Sequence, residues 1–391
     1  VSVAALASAE WLVRPETQAI FAALDGARRR TRAVGGVVRD TILERLRDST
    51  DIDLATELLP IEVIERAKAA GIASYPTGID HGTVTLKLGD TLAEVTTLRQ
   101  DIETDGRHAV VAFGTDWRAD ASRRDFTLNA LYCAADGTLY DPLNGIEDAL
   151  NGRVCFIGNA TQRIAEDGLR VYRFFRFSAS HGSEHYDPDG LAACRDAALR
   201  LDHLSAERVG AELLRMLALP TVARTLAVMG EVGLISLRDE TVRHLLAYES
   251  FGGHSPLGRL AILADGRPEA MQDRWRLSNE VVKGARTVAL SADLLVRDRI
   301  GEAAYRHGEA AVDGLAVAAA QDGWSRDRLA ETAREMARLR IPKLPVSGHD
   351  LAGLGISPGP ALGQQLARLE QAWIESDFTL AKGELLALVE S

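Results

Sequence analysis

Near the amino end apolar residues return every three to four positions, with Ile20, Phe21 and Leu24 on one side, and the segment closes on the polar run GARRR. That spacing predicts helix within residues 1 to 30. A strand-like RTRAV then runs into Gly35 and Gly36; residues 37 to 47 read as a second helix, DIDLAT (51 to 56) as a strand, and residues 60 to 70 as an amphipathic helix. Apolar and polar positions partly alternate in GTVTLKLGD and LAEVTTLR, as in strands with one face in a core. A further β-rich stretch spans FTLNALYCAADGTLYDP, where Asp136-Gly137 marks a hairpin turn. Beyond about Pro142 the alternation fades and helical spacing continues, with Ser205 placed to cap AERVGAELLRMLAL. The pattern predicts a first third that is α/β or α+β, then an all-α remainder, with boundaries near residues 140, 205 and 260.

At 391 residues the chain is long enough for two to four domains of roughly 100 to 200 residues each. It contains no run of 18 apolar residues, and the stretch VSVAALASAEWLV carries Glu10 and no basic region, so neither a transmembrane helix nor a signal peptide is expected. The expectation is a cytoplasmic protein with no membrane partner. The three cysteines, Cys133, Cys155 and Cys194, are far apart and odd in number, which argues against a disulfide framework or a zinc cluster. A net charge of −11 speaks against indiscriminate coating of nucleic acid, because such binding comes from neutralising phosphates with Lys and Arg. Arginines nevertheless gather between 28 and 47, at 123 and 124, and from 163 to 176, so a polyanion could bind one face.

Four clusters carry candidate chemistry. In AVGGVVRD (33 to 40), Gly35 and Gly36 between strand and helix allow backbone N–H groups to approach a triphosphate, and Arg39 could add a charged contact. A plain tight turn is the alternative. In DIDLAT, Asp51 and Asp53 are two apart on a predicted strand and project from one face, where two like charges need a cation. Mg²⁺ takes one or two carboxylates plus substrate phosphates, and Glu94 in AEVTTLR would be a third acid if its strand lies beside DIDLAT. A lone DxD could equally be a solvated strand edge. In SRRDFTLNAL, Arg123 and Arg124 could neutralise a departing pyrophosphate or be an ordinary surface pair. In RIAEDGLRVYRFFRF, Asp167, Arg170, Arg173 and Arg176 repeat every three residues along a helix; an acid and an arginine there could read a base edge, or the face could be merely salt-bridged.

In this order the clusters resemble the class II tRNA nucleotidyltransferase and bacterial poly(A) polymerase family, within the polymerase-beta-like nucleotidyltransferases. The likeness rests on GGVVRD…DIDLAT, EVTTLR, RRDFTLNA, EDGLRVYRFFRF and SAERVGAELLRML, and covers about residues 30 to 220. The tail, with PVSGHDLAGLGISPGPALGQQL and WIESDFTL, is similar to the C-terminal helical region of CCA-adding members. The resemblance implies an α+β fold, with a nucleotidyltransferase head built on a mixed sheet over residues 1–141, then an all-α nucleotide-selecting neck over 142–205, an RNA-binding body over 206–260 and a tRNA-binding tail over 261–391. It also implies that Gly36 and Arg39 contact the triphosphate, that Asp51 and Asp53 bind Mg²⁺ with Glu94 as third acid, and that Arg124 holds phosphate. Asp167 and Arg170 would pair with the Watson–Crick edge of incoming CTP or ATP, and Arg173 and Arg176 would line the same pocket. C and A share an exocyclic amine donor beside a ring-nitrogen acceptor, so one carboxylate and one guanidinium can read both, whereas G and U present the opposite pattern.

The implied activity is template-independent addition of CCA to the tRNA 3′ end, by attack of the 3′-hydroxyl on an α-phosphate with release of pyrophosphate. The acceptor stem would be held by shape and phosphate contact. One departure is Gly168 in EDGLR, where relatives often carry a larger residue; it costs about 1 kcal/mol of helix propensity relative to Ala. Poly(A)-adding, CC-only and A-only members are the alternatives. RQDIETDGRHAVVAFGTDWRADAS looks like the intact flexible-loop region of full CCA-adding members, and the acidic charge and lack of a basic C-terminal extension argue against poly(A) addition. From other classes, His349-Asp350 raises an HD-type phosphohydrolase, and a dead head would leave an RNA-binding protein.

Overall fold

The alternation in DIDLAT buries Ile52 and Leu54 and leaves Asp51 and Asp53 exposed, and this strand lies mid-sheet in the computed structural model, which describes residues 5–45, 51–105, 108–265, 267–340 and 342–389. The strands are β1 (Thr31–Val34), β2 (Ile52–Thr56), β3 (Ala73–Gly78), β4 (Thr83–Leu88), β5 (Thr91–Thr97), β6 (Arg99–Asp105), β7 (His108–Phe113), β8 (Tyr132–Cys133) and β9 (Leu139–Tyr140). Seven form one sheet in the order β3-β4-β5-β2-β1-β8-β9. β2 and β5 run parallel, and the other neighbours pair antiparallel. The sheet is thus mixed, as the resemblance implies.

Several local expectations need correcting. The GGVVRD helix spans only Gly36–Ile42, because Glu44 turns the backbone left-handed at φ 54°; the far end of the expected helix, residues 46 and 47, lies outside the described residues. FTLNAL is not a strand: Thr127–Asn129 form a 3₁₀ turn, and pairing resumes only at β8. The hairpin between β8 and β9 does turn at Asp136-Gly137, where Gly137 takes φ +82°. β3 has no clear alternation, since it is a sheet edge with mostly exposed residues and contains Pro76 beside a register shift. The region expected as a flexible loop forms a separate two-stranded sheet, β6 against β7.

The head core packs Val34, Ala55, Leu98, Trp117, Ala121, Tyr132 and Ile157 together. Trp117 meets Tyr132 edge-on at 5.5 Å and donates its indole N–H to Glu57 at 2.8 Å, so the ring contributes apolar area without an orphaned donor. Past β9 the described chain is helical. Ser205 caps its helix as expected, with Oγ accepting from Arg208 N at 3.3 Å.

The chain divides into two compact units, residues 1–216 with 228–236, and residues 217–227 with 237–391. In the second, Arg259 is fully buried and donates to the carbonyls of Leu217, Leu219, Pro220 and His254 and to Glu249. One planar guanidinium thereby satisfies several backbone acceptors that burial would otherwise leave unpaired. A separate apolar cluster of Val346, Leu351, Leu369, Trp373, Ile374 and Leu385 holds the last helices. Among the described residues no helix is long and apolar enough to cross a membrane. The cysteines are unpaired, with Cys133 and Cys194 buried and Cys155 half-buried.

Candidate active site

The parallel pairing of β2 with β5 sets Asp53 beside Glu94 in register, and both side chains are exposed. Asp51, one residue ahead of β2 and two before Asp53, is also exposed. Ile52, Leu54, Ala93 and Val95 anchor the opposite face in the core. Burying those apolar side chains is what forces the acids outward, so the carboxylates share one face because of the pleat. Among the described residues, no three of His, Cys, Asp and Glu gather into a ready cation cage.

Gly35 sits at φ 73°, ψ −128°, a conformation open to glycine and strained for other residues, and it turns β1 into the Gly36 helix. Arg39, one turn on, is buried rather than reaching into solvent. Its guanidinium donates to Asn129 Oδ1 and, at 2.8 Å, to Asp40 Oδ1. Asp40 also meets His181 Nε2 at 3.2 Å. Burial raises the Asp40 carboxyl, but the His181 hydrogen bond and the Arg39 charge outweigh it and hold the group at about 2.

The RRD cluster caps no surface. Arg123 donates to Asp120 at 2.8 Å, and Arg124 donates to Tyr132 Oη at 3.1 Å and lies 3.3 Å from Asp120. Asp120 is buried; burial raises its carboxyl, but Arg124 and Arg123 together bring it below its ordinary value. Asp125 accepts from Asn129 Nδ2 at 3.1 Å, from its neighbour Phe126 N at 2.8 Å and from Arg173 Nε at 2.7 Å. Those bonds and the Arg173 charge likewise overcome burial and depress it.

Asp167 ends the helix Ala160–Glu166 and precedes the helix Leu169–His181. Its two oxygens take Leu169 N at 3.1 Å and Arg208 at 2.9 Å. Arg170 donates to Glu166 at 2.7 Å and to the carbonyls of Arg163 and Arg123. Arg176 pairs with the buried Glu212 at 2.6 Å, which Arg215 also reaches at 2.9 Å. Every arginine of the expected set is thus engaged and oriented rather than dangling. The expectations missed the groups that orient them: Asp40, Asp120, Asp125, Asn129, Glu166 and Glu212. Asp40, Asp125 and Glu166 carried a local signal, each adjoining a residue already singled out.

His349-Asp350 is a helix start and not a metal pair. Ser347 and Asp350 form a capping box at the helix Gly348–Gly353, and Asp350 pairs with Lys382 at 2.7 Å. The HD-type reading falls with that geometry.

A mixed sheet that exposes Asp51, Asp53 and Glu94, followed by helices that carry paired Asp and Arg side chains, is the arrangement expected of a nucleotidyltransferase joined to a helical extension, and the likeness to known proteins establishes that class. Residues 31–155 match the model of the poly A polymerase head domain, and residues 185–237 that of the probable RNA and SrmB-binding site of polymerase A. The chain is 34% identical over 378 residues to the mitochondrial CCA tRNA nucleotidyltransferase 1 of Danio rerio, covering 91% of this chain and 86% of that protein. It is 31% identical over 352 residues to the CCA-adding enzyme of Lacticaseibacillus paracasei, covering 86% of each. The crystal structure of the Bacillus stearothermophilus CCA-adding enzyme in complex with CTP superposes with a TM-score of 0.76 at 28% identity, over 93% of this chain and 94% of that one. The chain belongs to the family of CCA-adding tRNA nucleotidyltransferases.

Proposed function

We propose that this enzyme rebuilds the 3′ end of tRNA by adding C, C and A from CTP and ATP, without a nucleic-acid template and with release of pyrophosphate. The observation that carries this reading is family membership along nearly the whole chain, at 34% identity over 91% of its length. CC-only, A-only and poly(A) addition are outcomes that the test below distinguishes.

Within this reading the turn at Gly35 and Gly36 offers backbone N–H groups to the triphosphate, and Arg39 braces that turn with its charge. Asp51, Asp53 and Glu94 are hard oxygen donors of the kind Mg²⁺ prefers, and Mg²⁺ completes its shell with substrate phosphates and water. Asp51 and Asp53 would hold the metal ions, with Glu94 as the third acid; bound Mg²⁺ supplies Lewis-acid stabilisation of the oxygens of nucleotidyl transfer. Arg124, held by Asp120 and Tyr132, keeps positive charge near phosphate. The tRNA 3′-hydroxyl attacks the α-phosphate in line, and pyrophosphate leaves.

Asp167 presents a carboxylate acceptor and Arg170 a guanidinium donor to the base edge, which suits C and A and rejects G and U. Arg208 steadies Asp167, and Glu166 steadies Arg170, so that neither reader swings freely. Arg173 and Arg176 line the same pocket. Residues 1–141 act as the catalytic head, 142–205 as the neck that selects nucleotides, 206–260 as an RNA-binding body and 261–391 as a tail for tRNA. Unpaired thiols suit a reducing compartment, and the cytoplasm is the one we propose.

The test is nucleotide choice on a tRNA transcript lacking CCA. Wild-type enzyme should accept CTP and ATP and refuse UTP and GTP, while Asp167→Ala should lose that preference. Undiminished selectivity in Asp167→Ala contradicts the reading of the base edge.

A further inference from the structure

Three guanidiniums converge on the buried ring of Phe177: Arg39 at 5.2 Å, Arg173 at 5.4 Å and Arg176 at 4.3 Å. They come from two places with different proposed tasks. Arg39 belongs to the glycine turn on the triphosphate side, whereas Arg173 and Arg176 lie on the helix Leu169–His181, which starts beside the base readers.

Arg39 is held between two acceptors, and each acceptor is bonded in turn to that same helix. On one side Asn129 Oδ1 accepts from Arg39, Asn129 Nδ2 donates to Asp125 at 3.1 Å, and Asp125 takes Arg173 Nε at 2.7 Å. On the other, Asp40 accepts from Arg39 at 2.8 Å and meets His181 Nε2 at 3.2 Å, at the far end of the helix. Arg45, which follows the glycine-turn helix, donates to the Ser180 carbonyl beside it. Arg39, Asp125 and Asn129 are buried. A buried, fully bonded polar network favours one arrangement, because moving any member strands a charge or a donor away from water. The glycine turn and the base-reading helix therefore move as one body.

We propose that Asp40, Asn129 and His181 are positioning residues for nucleotide selection. They bracket Arg39 and lock the triphosphate contact to the helix that carries Asp167 and Arg170. A base that fits the readers leaves the α-phosphate aligned for attack; a base that displaces the readers drags the glycine turn with it and spoils the alignment. Selection then appears in turnover as well as in binding, since small misplacements at a reacting centre cost large factors in rate. The inference rests on the proposed roles of Arg39, Asp167 and Arg170.

His181 is the position to test, because its place at the far end of the helix lies a dozen residues from the base readers. With the full-length enzyme and a transcript lacking CCA, kcat and KM are measured for CTP and UTP in wild type, His181→Ala and His181→Gln. His181→Ala should narrow the CTP-over-UTP preference by roughly tenfold, mainly through kcat. His181→Gln, whose amide can still donate to Asp40, should recover most of it. Should His181→Ala fail to fold, Asp40→Asn carries the same expectation. Arg39→Ala and Asp167→Ala serve as controls: a loss shared by all nucleotides for the first and a loss of preference for the second support the roles on which the bracket rests. If both controls behave so and the histidine and Asp40 variants keep the wild-type preference, the bracket is structural and the inference is wrong; if the controls themselves fail, the underlying reading fails instead.

Discussion

Asp53 and Glu94 stand side by side in register across the parallel β2–β5 pair, and both are exposed. Like charges at such close quarters disfavour the sheet by themselves, and the residues on either side of them, Ile52, Leu54, Ala93 and Val95, buried on the opposite face, hold the strands together regardless. The apolar face thus carries the fold, which leaves the carboxylates for the chemistry proposed for them. Asp53→Asn should lower nucleotide incorporation by roughly 10²-fold or more, as removal of a group acting on developing charge does, while stability stays within about 0.5 kcal/mol, as for exposed substitutions. Single-turnover incorporation and thermal melting check the two halves separately. Retained activity in either Asp51→Asn or Asp53→Asn contradicts the assignment of the site.

Gly168 caps the helix Leu169–His181 at φ −61°, an ordinary helical conformation, so its backbone does not demand glycine. Space does: a Cβ there would lie 2.7 Å from Leu201 Cδ2 and 3.3 Å from Leu204 Cδ2. These are tips of flexible side chains that can give way, but Gly168 is the N-cap and not an interior helix position, so the expected propensity cost of a glycine does not apply and Gly168→Ala should lose up to about 1 kcal/mol, Ala being a poorer N-cap than Gly. Gly168→Leu should lose about 1 to 3 kcal/mol through overpacking, and adding Leu201→Ala should recover part of the loss. Denaturant melts of the three variants decide this; a fully tolerated leucine removes packing as the reason for the glycine.

Burial, aided by the Arg39 charge, pushes the His181 imidazole down to about 4 from 6.5, against the pull of Asp40. Between those values the unfolded chain binds more protons than the folded one, so stability rises with pH. The contribution is complete above about pH 6.5 and is lost as pH falls toward 4; its size is on the order of 3 kcal/mol. Asp40, held at about 2, adds a further loss only below about pH 4. Melting temperatures taken from pH 7 to pH 4 should fall steadily in the wild type and more shallowly in His181→Gln. Equal slopes contradict a neutral, buried His181.

Much of this site is legible along the chain because it depends on local periodicity. DIDLAT alternates, so its strand and its acidic face follow from the pleat, and Arg170, Arg173 and Arg176 do share the helix Leu169–His181 at a repeat of three; Asp167, expected on the same helix, instead sits in the break between it and the helix Ala160–Glu166. The rest depends on contacts between distant segments. Glu212, which orients Arg176, lies 36 positions away, and Asn129, which receives Arg39, lies 90 away; neither is marked by any pattern near the residue it serves. β3 escaped notice because an edge strand with exposed residues has no reason to alternate. FTLNAL looked like a strand because its apolar residues are buried by packing under a 3₁₀ turn, where burial is not periodic.

The hairpin of β6 and β7 follows directly after the strand that carries Glu94. The change from CTP to ATP after two additions should depend on its movement as the 3′ end grows. Shortening it within residues 100 to 115 should leave C addition intact and abolish addition of the terminal A, read from the length of products on a denaturing gel. A shortened enzyme that still completes CCA removes the hairpin from the switch.

The central claim is tested most directly by incorporation of each labelled nucleotide into tRNA transcripts ending before CCA, after C and after CC, with Mg²⁺ and then with EDTA. The prediction is ordered addition of C, C and a single A, stopping there and abolished by EDTA. Addition of A alone to the CC-ended transcript, long A tails, or no incorporation into any of the three would contradict it.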